Sequence, residues 1–140
     1  MNYKQVEKLT SSQLNDLVRL FQNEWWTNGR ELKEVEGMVE HSDVIVGLVD
    51  SETDALIGFA RILTDYVYKA FIFDVIVSKS CRGQMLGKDL MDAIIYHPKL
   101  QRVKHFELYC RPEMLPFYQK WGFTEELGEL HLMRKVNNIG

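Results

Sequence analysis

The run Asp43–Val49 (DVIVGLV) constrains the fold more than any other stretch of the chain. It is apolar on both faces, so it reads as a strand buried from both sides. The next residues, Asp50-Ser51-Glu52-Thr53-Asp54, are turn formers. Leu56 to Leu63 reads as a second strand, and Thr64-Asp65-Tyr66 joins it to a third at Phe71–Val77. The triplet has the pattern of an antiparallel meander.

The segments around the meander supply helices. Tyr3 to Leu9 alternates and reads as a first strand, and Thr10-Ser11-Ser12 offers an N-cap. Leu14, Leu17, Val18, Phe21 and Trp25 then fall on one helical face, which gives Trp25 a place in the core. Thr27-Asn28-Gly29 breaks the pattern. Leu32, Val35 and Val39 mark a second, more polar helix that ends near His41. Beyond the meander, Leu86, Leu90, Met91, Ile94 and Ile95 form the inward face of a third helix, closed by His97-Pro98. His105 to Cys110 reads as a strand. Pro112 starts a short helix that carries Met114, Leu115, Tyr118 and Trp121 and ends at Gly122. Leu127 to Val136 reads as a last strand. The order is β-α-α-β-β-β-α-β-α-β, a mixed α/β sheet in one domain over residues 1–140.

Composition narrows the function. The 140 residues are 46% hydrophobic and 26% charged, enough for a core without metals or disulfides. The 17 basic and 20 acidic residues leave a net charge of −3, which disfavours a dedicated nucleic-acid binder. The longest apolar stretch, Ala70 to Val77, contains Asp74 and is too short to span a bilayer. Cys81 and Cys110 fit no metal-ligand spacing, so no metal is expected. The first residues have no leader-like apolar run, and a cytoplasmic protein is the expectation.

Ser78 to Lys88 links an apolar strand to an amphipathic helix, with Arg82-Gly83 and Gly87-Lys88 bracketing the turn. Glycine lets the backbone approach a ligand, and successive N–H groups at the positive end of a helix make an anion cradle. Arg82 and Lys88 add positive charge, and a diphosphate suits the place. The other reading is an ordinary strand-to-helix connection whose cations are solvated. The spacing is neither that of a P-loop nor that of a dinucleotide fingerprint.

Arg82-Gly83-Gln84-Met85-Leu86-Gly87 resembles the Q/R-x-x-G-x-G/A loop of the GNAT superfamily, the acetyl-CoA-dependent N-acetyltransferases. Phe117-Tyr118-Gln119-Lys120-Trp121-Gly122-Phe123 is similar to that family's second signature, F-Y-x-x-x-G-F. Gly58-Phe59-Ala60-Arg61 and Phe73-Asp74-Val75-Ile76-Val77 resemble its central strands. The resemblance spans nearly the whole chain, although Tyr3 to His41 matches mainly in element order. One departure stands out. Met85 replaces the first loop glycine, so its side chain must point away from the diphosphate or the loop must shift.

The resemblance implies a GNAT-like mixed, mostly antiparallel sheet flanked by helices. It implies acetyl-CoA as the acyl donor, held by Val75, Ile76 and Val77 on the strand and by Arg82, Gly83, Gln84, Met85, Leu86, Gly87 and Lys88 in the loop. A primary amine of a small molecule attacks the thioester directly in a ternary complex. Tyr118 meets the thiol sulfur and, as a phenol protonated at neutral pH, gives the proton to the leaving group. Tyr118 could also be only a core aromatic. Asp74 is the candidate base, since burial strengthens a carboxylate that is weak in water. Equally, Asp74 could be structural, accepting bonds from a neighbouring loop or from Arg61. A covalent route through Cys110 lacks an activating histidine, and Cys81 beside Arg82 reads as a reactive surface thiol.

Acceptor pockets in the resembling family draw on the first two helices and the loops between central strands. Those segments carry Trp25, Trp26, Arg30, Arg61, Tyr66 and Tyr68. Trp26, Arg61 and Tyr66 are the candidates for substrate contact. An aromatic wall with acidic groups suits an arylalkylamine or a polyamine. The same residues could form a homodimer interface. Two other functions stay open: a non-catalytic acyl-CoA sensor module, which Met85 favours, and acetylation of a protein amine. No nucleic acid and no membrane partner is expected.

Overall fold

The computed structural model describes residues 2–83 and 85–139, which form two compact units, residues 1–108 and 109–140. The first unit holds β1 (Tyr3–Val6), α1 (Ser11–Gln22), α2 (Leu32–Glu40), β2 (Val44–Asp50), β3 (Leu56–Thr64), β4 (Lys69–Val77), α3 (Leu86–Ile95) and β5 (His105–Glu107). The sheet order is β1-β2-β3-β4-β5. Neighbours from β1 to β4 are antiparallel, and β4 and β5 are parallel. The mixed, mostly antiparallel sheet flanked by helices is the fold expected from the sequence.

Both faces of the sheet are covered. Phe59 of β3 meets Phe21 of α1 edge to face, with ring centroids 6.3 Å apart. On that side Leu17, Leu20, Phe21 and Val35 pack with Ile45, Val49, Leu56, Phe59 and Ile76. Gly58, the neighbouring residue, points to the opposite face, where a Cβ would stand 3.5 Å from Leu90 of α3. The first six residues of β2 are buried, as a strand sandwiched between helix layers must be. The inward face of α3 is Leu86, Leu90, Met91 and Ile94.

Local sequence accounts for the helix ends. Thr10 caps α1 in a reciprocal box with Gln13, at 3.1 and 3.0 Å. At the other end the hydroxyl of Thr27 donates to the Phe21 carbonyl at 2.8 Å. Gln22 Nε2 donates to the Arg30 carbonyl at 2.9 Å, and the Gly29 amide donates to Gln22 Oε1 at 3.1 Å. The chain folds back over the helix end, so α1 stops at Gln22. Trp25 therefore leaves the apolar face predicted for it and is 70% exposed.

In the second unit, a 3-10 turn at Pro112–Met114 leads into α4 (Leu115–Gln119). Phe117 packs edge to face with Tyr118 and with Trp121, each at 5.0 Å between centroids. Tyr118 meets Phe123 in the same way at 6.2 Å. The tenth expected element is not a strand. Residues 127–136 make no ladder among the described residues, and Leu130, Leu132, Met133 and Val136 are exposed. The reason lies in the pattern: apolar residues at 127, 130, 132, 133 and 136 do not keep a period of two, and Gly128 turns the chain with φ 69°. The fifth strand also stops at Glu107, short of Cys110.

Candidate active site

The site starts from an irregularity in β4. Ladder pairs run Thr64↔Ala70, Leu63↔Phe71, Ile62↔Ile72 and Arg61↔Phe73, then jump to Phe59↔Ile76. Asp74 and Val75 are looped out as a bulge, and Asp74 adopts φ 56°. On the other side, β5 pairs with β4 only from Lys69 to Phe71. Residues 72–77 thus have β3 on one edge and no ladder on the other among the described residues.

The direction of the amides follows from the ladder. The Ser78 amide donates to the Ile57 carbonyl at 2.8 Å. Antiparallel pairing alternates, so Ile76 also turns its amide to β3 and Val77 turns its amide to the open edge. Of the three strand residues expected to meet the acyl donor, Val77 directs its N–H outward and Ile76 does not.

After β4 come a 3-10 turn at Lys79–Cys81 and the loop into α3. Gly83 takes φ 92°, and a Cβ built there would meet nothing within 4 Å. Met85 is the N-cap of α3 at φ 63°, with no side-chain cap on the helix. Its side chain is 62% exposed, so the substitution of the loop glycine leaves the side chain in solvent. Leu86 is buried under the helix, and Gly87 and Lys88 lie in its first turn. The first-turn amides are therefore open to an anion, in the positive end of the helix field. Gln84 lies outside the described residues. Arg82 pairs with Glu24 and Lys88 with Asp92 at 2.7 Å, so a diphosphate there would compete with two carboxylates. Cys81 is 3% exposed, a buried thiol rather than the surface one expected.

A left-handed backbone costs a side-chain-bearing residue about 1 kcal/mol relative to glycine. Met85→Gly is therefore expected to raise the melting temperature by a few degrees, measured by calorimetry.

Asp74 is at the centre of an ionic cluster. Its side chain is 6% exposed, and Oδ2 accepts from Arg61 Nε at 2.7 Å and from Arg30 at 3.0 Å. Arg61 lies over the Phe73 ring at 4.7 Å and Arg30 over Phe21 at 4.6 Å. The bond from Arg61 is the structural alternative weighed for Asp74. The bond from Arg30 comes from 44 residues away, and no local signal in the sequence marks it. Arg30 also lines, with Glu34, Val35 and Met38, a cavity of about 200 Å³. Trp26 is 41% exposed in the α1–α2 loop, and Tyr66 is 38% exposed in the β3–β4 turn. Tyr66 is held there by its own amide on Thr64 Oγ1 at 2.9 Å.

In the second unit Tyr118 is buried, and burial first, then the neighbouring Cys110, pushes its hydroxyl up to about 12. The Cys110 thiol is itself pushed up, by burial first and then by Glu125 and Glu113, so it is no activated nucleophile. For Tyr118 the protonated form is favoured in the folded chain. That stability is fully present below pH 10, where an unfolded tyrosine titrates, and is lost as pH rises toward 12. The loss is roughly 2–3 kcal/mol. Denaturant titrations at pH 9 and pH 12 should show it in the native chain, and Tyr118→Phe should reduce it by that amount.

The family model described as "Acetyltransferase (GNAT) family" matches residues 11–123. An uncharacterized N-acetyltransferase, ycf52, from Porphyra purpurea is 33% identical over 116 residues, covering 81% of this chain and 66% of that protein. A serotonin N-acetyltransferase 2, chloroplastic, from Oryza sativa subsp. japonica is 33% identical over 98 residues, 68% of this chain and 48% of that protein. The matches thus span two thirds or less of these curated relatives. A crystal structure assigned to the GNAT acetyltransferases, from Xanthomonas campestris pv. campestris, superposes with a TM-score of 0.82 at 28% identity. It covers 98% of this chain and 94% of that one. With the family model matching both signature segments, the chain belongs to the GNAT acetyltransferase family.

Proposed function

We propose that the protein moves an acetyl group from acetyl-CoA to a primary amine of a small molecule. The observation that carries this reading is the open edge of β4 followed, after one turn and a short loop, by an uncapped helix N-terminus. A pantetheine arm needs backbone groups along one line, and a diphosphate needs converging amides at the end of that line. Residues 75–77 and 85–88 offer those two things in sequence. Val77 N–H, facing the open edge, supplies a donor to the acyl donor. Holding both reactants together makes the attack of nitrogen on the thioester effectively intramolecular.

Tyr118 enters this reading through its motif and its own chemistry. A hydroxyl with its proton held up to about 12 is never lost near neutral pH. It donates to the sulfur as negative charge develops there. The acceptor must arrive as the free amine, and its proton leaves to solvent. An arylalkylamine is the favoured acceptor. The exposed Trp25 and Trp26 and the half-exposed Tyr66 support it, as does the serotonin acetyltransferase named among the relatives.

The test is a thiol-release assay with acetyl-CoA against arylalkylamines, polyamines, amino acids and a peptide N-terminus. Release with arylalkylamines above the rate with water supports the reading. Coenzyme binding with no release across the whole panel identifies a sensor, and release with the peptide alone moves the acceptor to protein amines.

A further inference from the structure

We propose that Asp74, Arg30 and Arg61 form a clamp that fixes the β4 bulge and so aims the Val77 amide. Asp74 is then a positioning residue and not the base. This inference rests on the acetyl-transfer reading for its purpose, but its structural part stands apart from it.

A bulge residue at φ 56° is strained for any side chain, and aspartate tolerates that conformation better than most. Such a conformation persists only where its surroundings over-determine it. Here the surroundings are two guanidinium groups on one oxygen, at 2.7 and 3.0 Å. Arg61 reaches across from β3, where its pair with Phe73 is the last regular one before the bulge. Arg30 reaches in from the α1–α2 loop. Each guanidinium is seated on a ring, Phe73 for Arg61 and Phe21 for Arg30, and Arg30 also contacts Met38 Sδ at 3.7 Å. Three segments therefore converge on one carboxylate oxygen whose side chain is 94% buried, that is 6% exposed.

The same bonds commit Oδ2 to two guanidinium groups, and losing either side would leave a buried charge short of its partner, which is costly. What the cluster does well is hold geometry. Past the bulge the strand resumes with Ile76 on Phe59, and the shift of register sends the Val77 amide to the open edge. Without the clamp, residues 74–77 would be free to slip back toward regular pairing.

The test uses the full chain with Asp74→Asn, Arg61→Lys, and the double variant Arg30→Ala with Arg61→Ala. Asparagine keeps the tolerance for a left-handed backbone and loses the charge. Lysine at 61 keeps the charge as the milder case, should the double variant fold poorly. Amide hydrogen exchange reads the bulge without any turnover. The clamp predicts that Ile76 and Ser78 exchange at least tenfold faster in Asp74→Asn and in the double variant, with Val46 and Leu48 unchanged. It predicts a smaller change in Arg61→Lys. In thiol release, kcat should fall by the same factor in Asp74→Asn and in the double variant, and the pH profile of kcat should keep its shape. Unchanged exchange at 76 and 78 would overturn the clamp. So would Asp74→Asn losing the ascending limb of the pH profile while the arginine variants stay active, because that is the behaviour of a base. If the wild-type chain releases no thiol, the acetyl-transfer reading fails while the exchange rates still decide the clamp.

Discussion

Gly87→Asp should make the protein slightly more stable and nearly unable to bind acetyl-CoA. Gly87 is the second residue of α3, whose N-terminus has no side-chain cap. An aspartate there meets the positive end of the helix, which is worth about 0.3–1 kcal/mol, and replaces a poor helix former. The same carboxylate would stand where the proposed diphosphate would sit. Two like charges about 4 Å apart at an effective dielectric of 20 repel by about 4 kcal/mol, which is two to three orders of magnitude in affinity. A simple folding defect would lower both quantities, so opposite signs isolate the anion site. Calorimetric melting and acetyl-CoA titration of the same variant give the two numbers.

Tyr118→Phe should cut kcat by roughly a hundredfold and leave the KM for acetyl-CoA nearly unchanged. The ring stays in its cluster with Phe117 and Phe123, so packing is preserved. What is lost is the proposed proton donor, and a positioned acid contributes about 10²–10⁴-fold. With the hydroxyl held up to about 12, the rate should show no descending limb below pH 11 from this group. Single-turnover measurements check both points. An unchanged chemical step in the variant would return Tyr118 to the role of a core aromatic.

The parts of this picture that local sequence controls were the legible ones. Gly83 and Gly87 bracket a turn between a strand and an amphipathic helix, and that spacing located the loop from β4 to the uncapped start of α3. The buried run Val44–Val49 located an interior strand of the sheet, because a strand covered on both faces lacks polar alternation. Two failures share a cause. Trp25 continued the helical period by spacing, but Thr27, Gln22 and Gly29 fold the chain back through side-chain bonds that periodicity does not record. Residues 127–136 carried enough apolar side chains to suggest a strand, yet a strand exists only by pairing, and none is made among the described residues. The partners of Asp74 were half legible. Arg61 is 13 residues away on the adjacent strand of a meander, within reach of inference. Arg30 arrives through tertiary packing of the α1–α2 loop, and nothing near it in sequence announces the contact.

In the proposed function the open edge of β4 and the start of α3 together receive acetyl-CoA. Titrating the labelled chain with acetyl-CoA while following backbone amide resonances tests it residue by residue. Saturable shifts should appear at Val77 and at Leu86, Gly87 and Lys88, with the amides of β1 and β2 still. Binding that leaves those four amides in place, or no binding at millimolar coenzyme, would contradict the account.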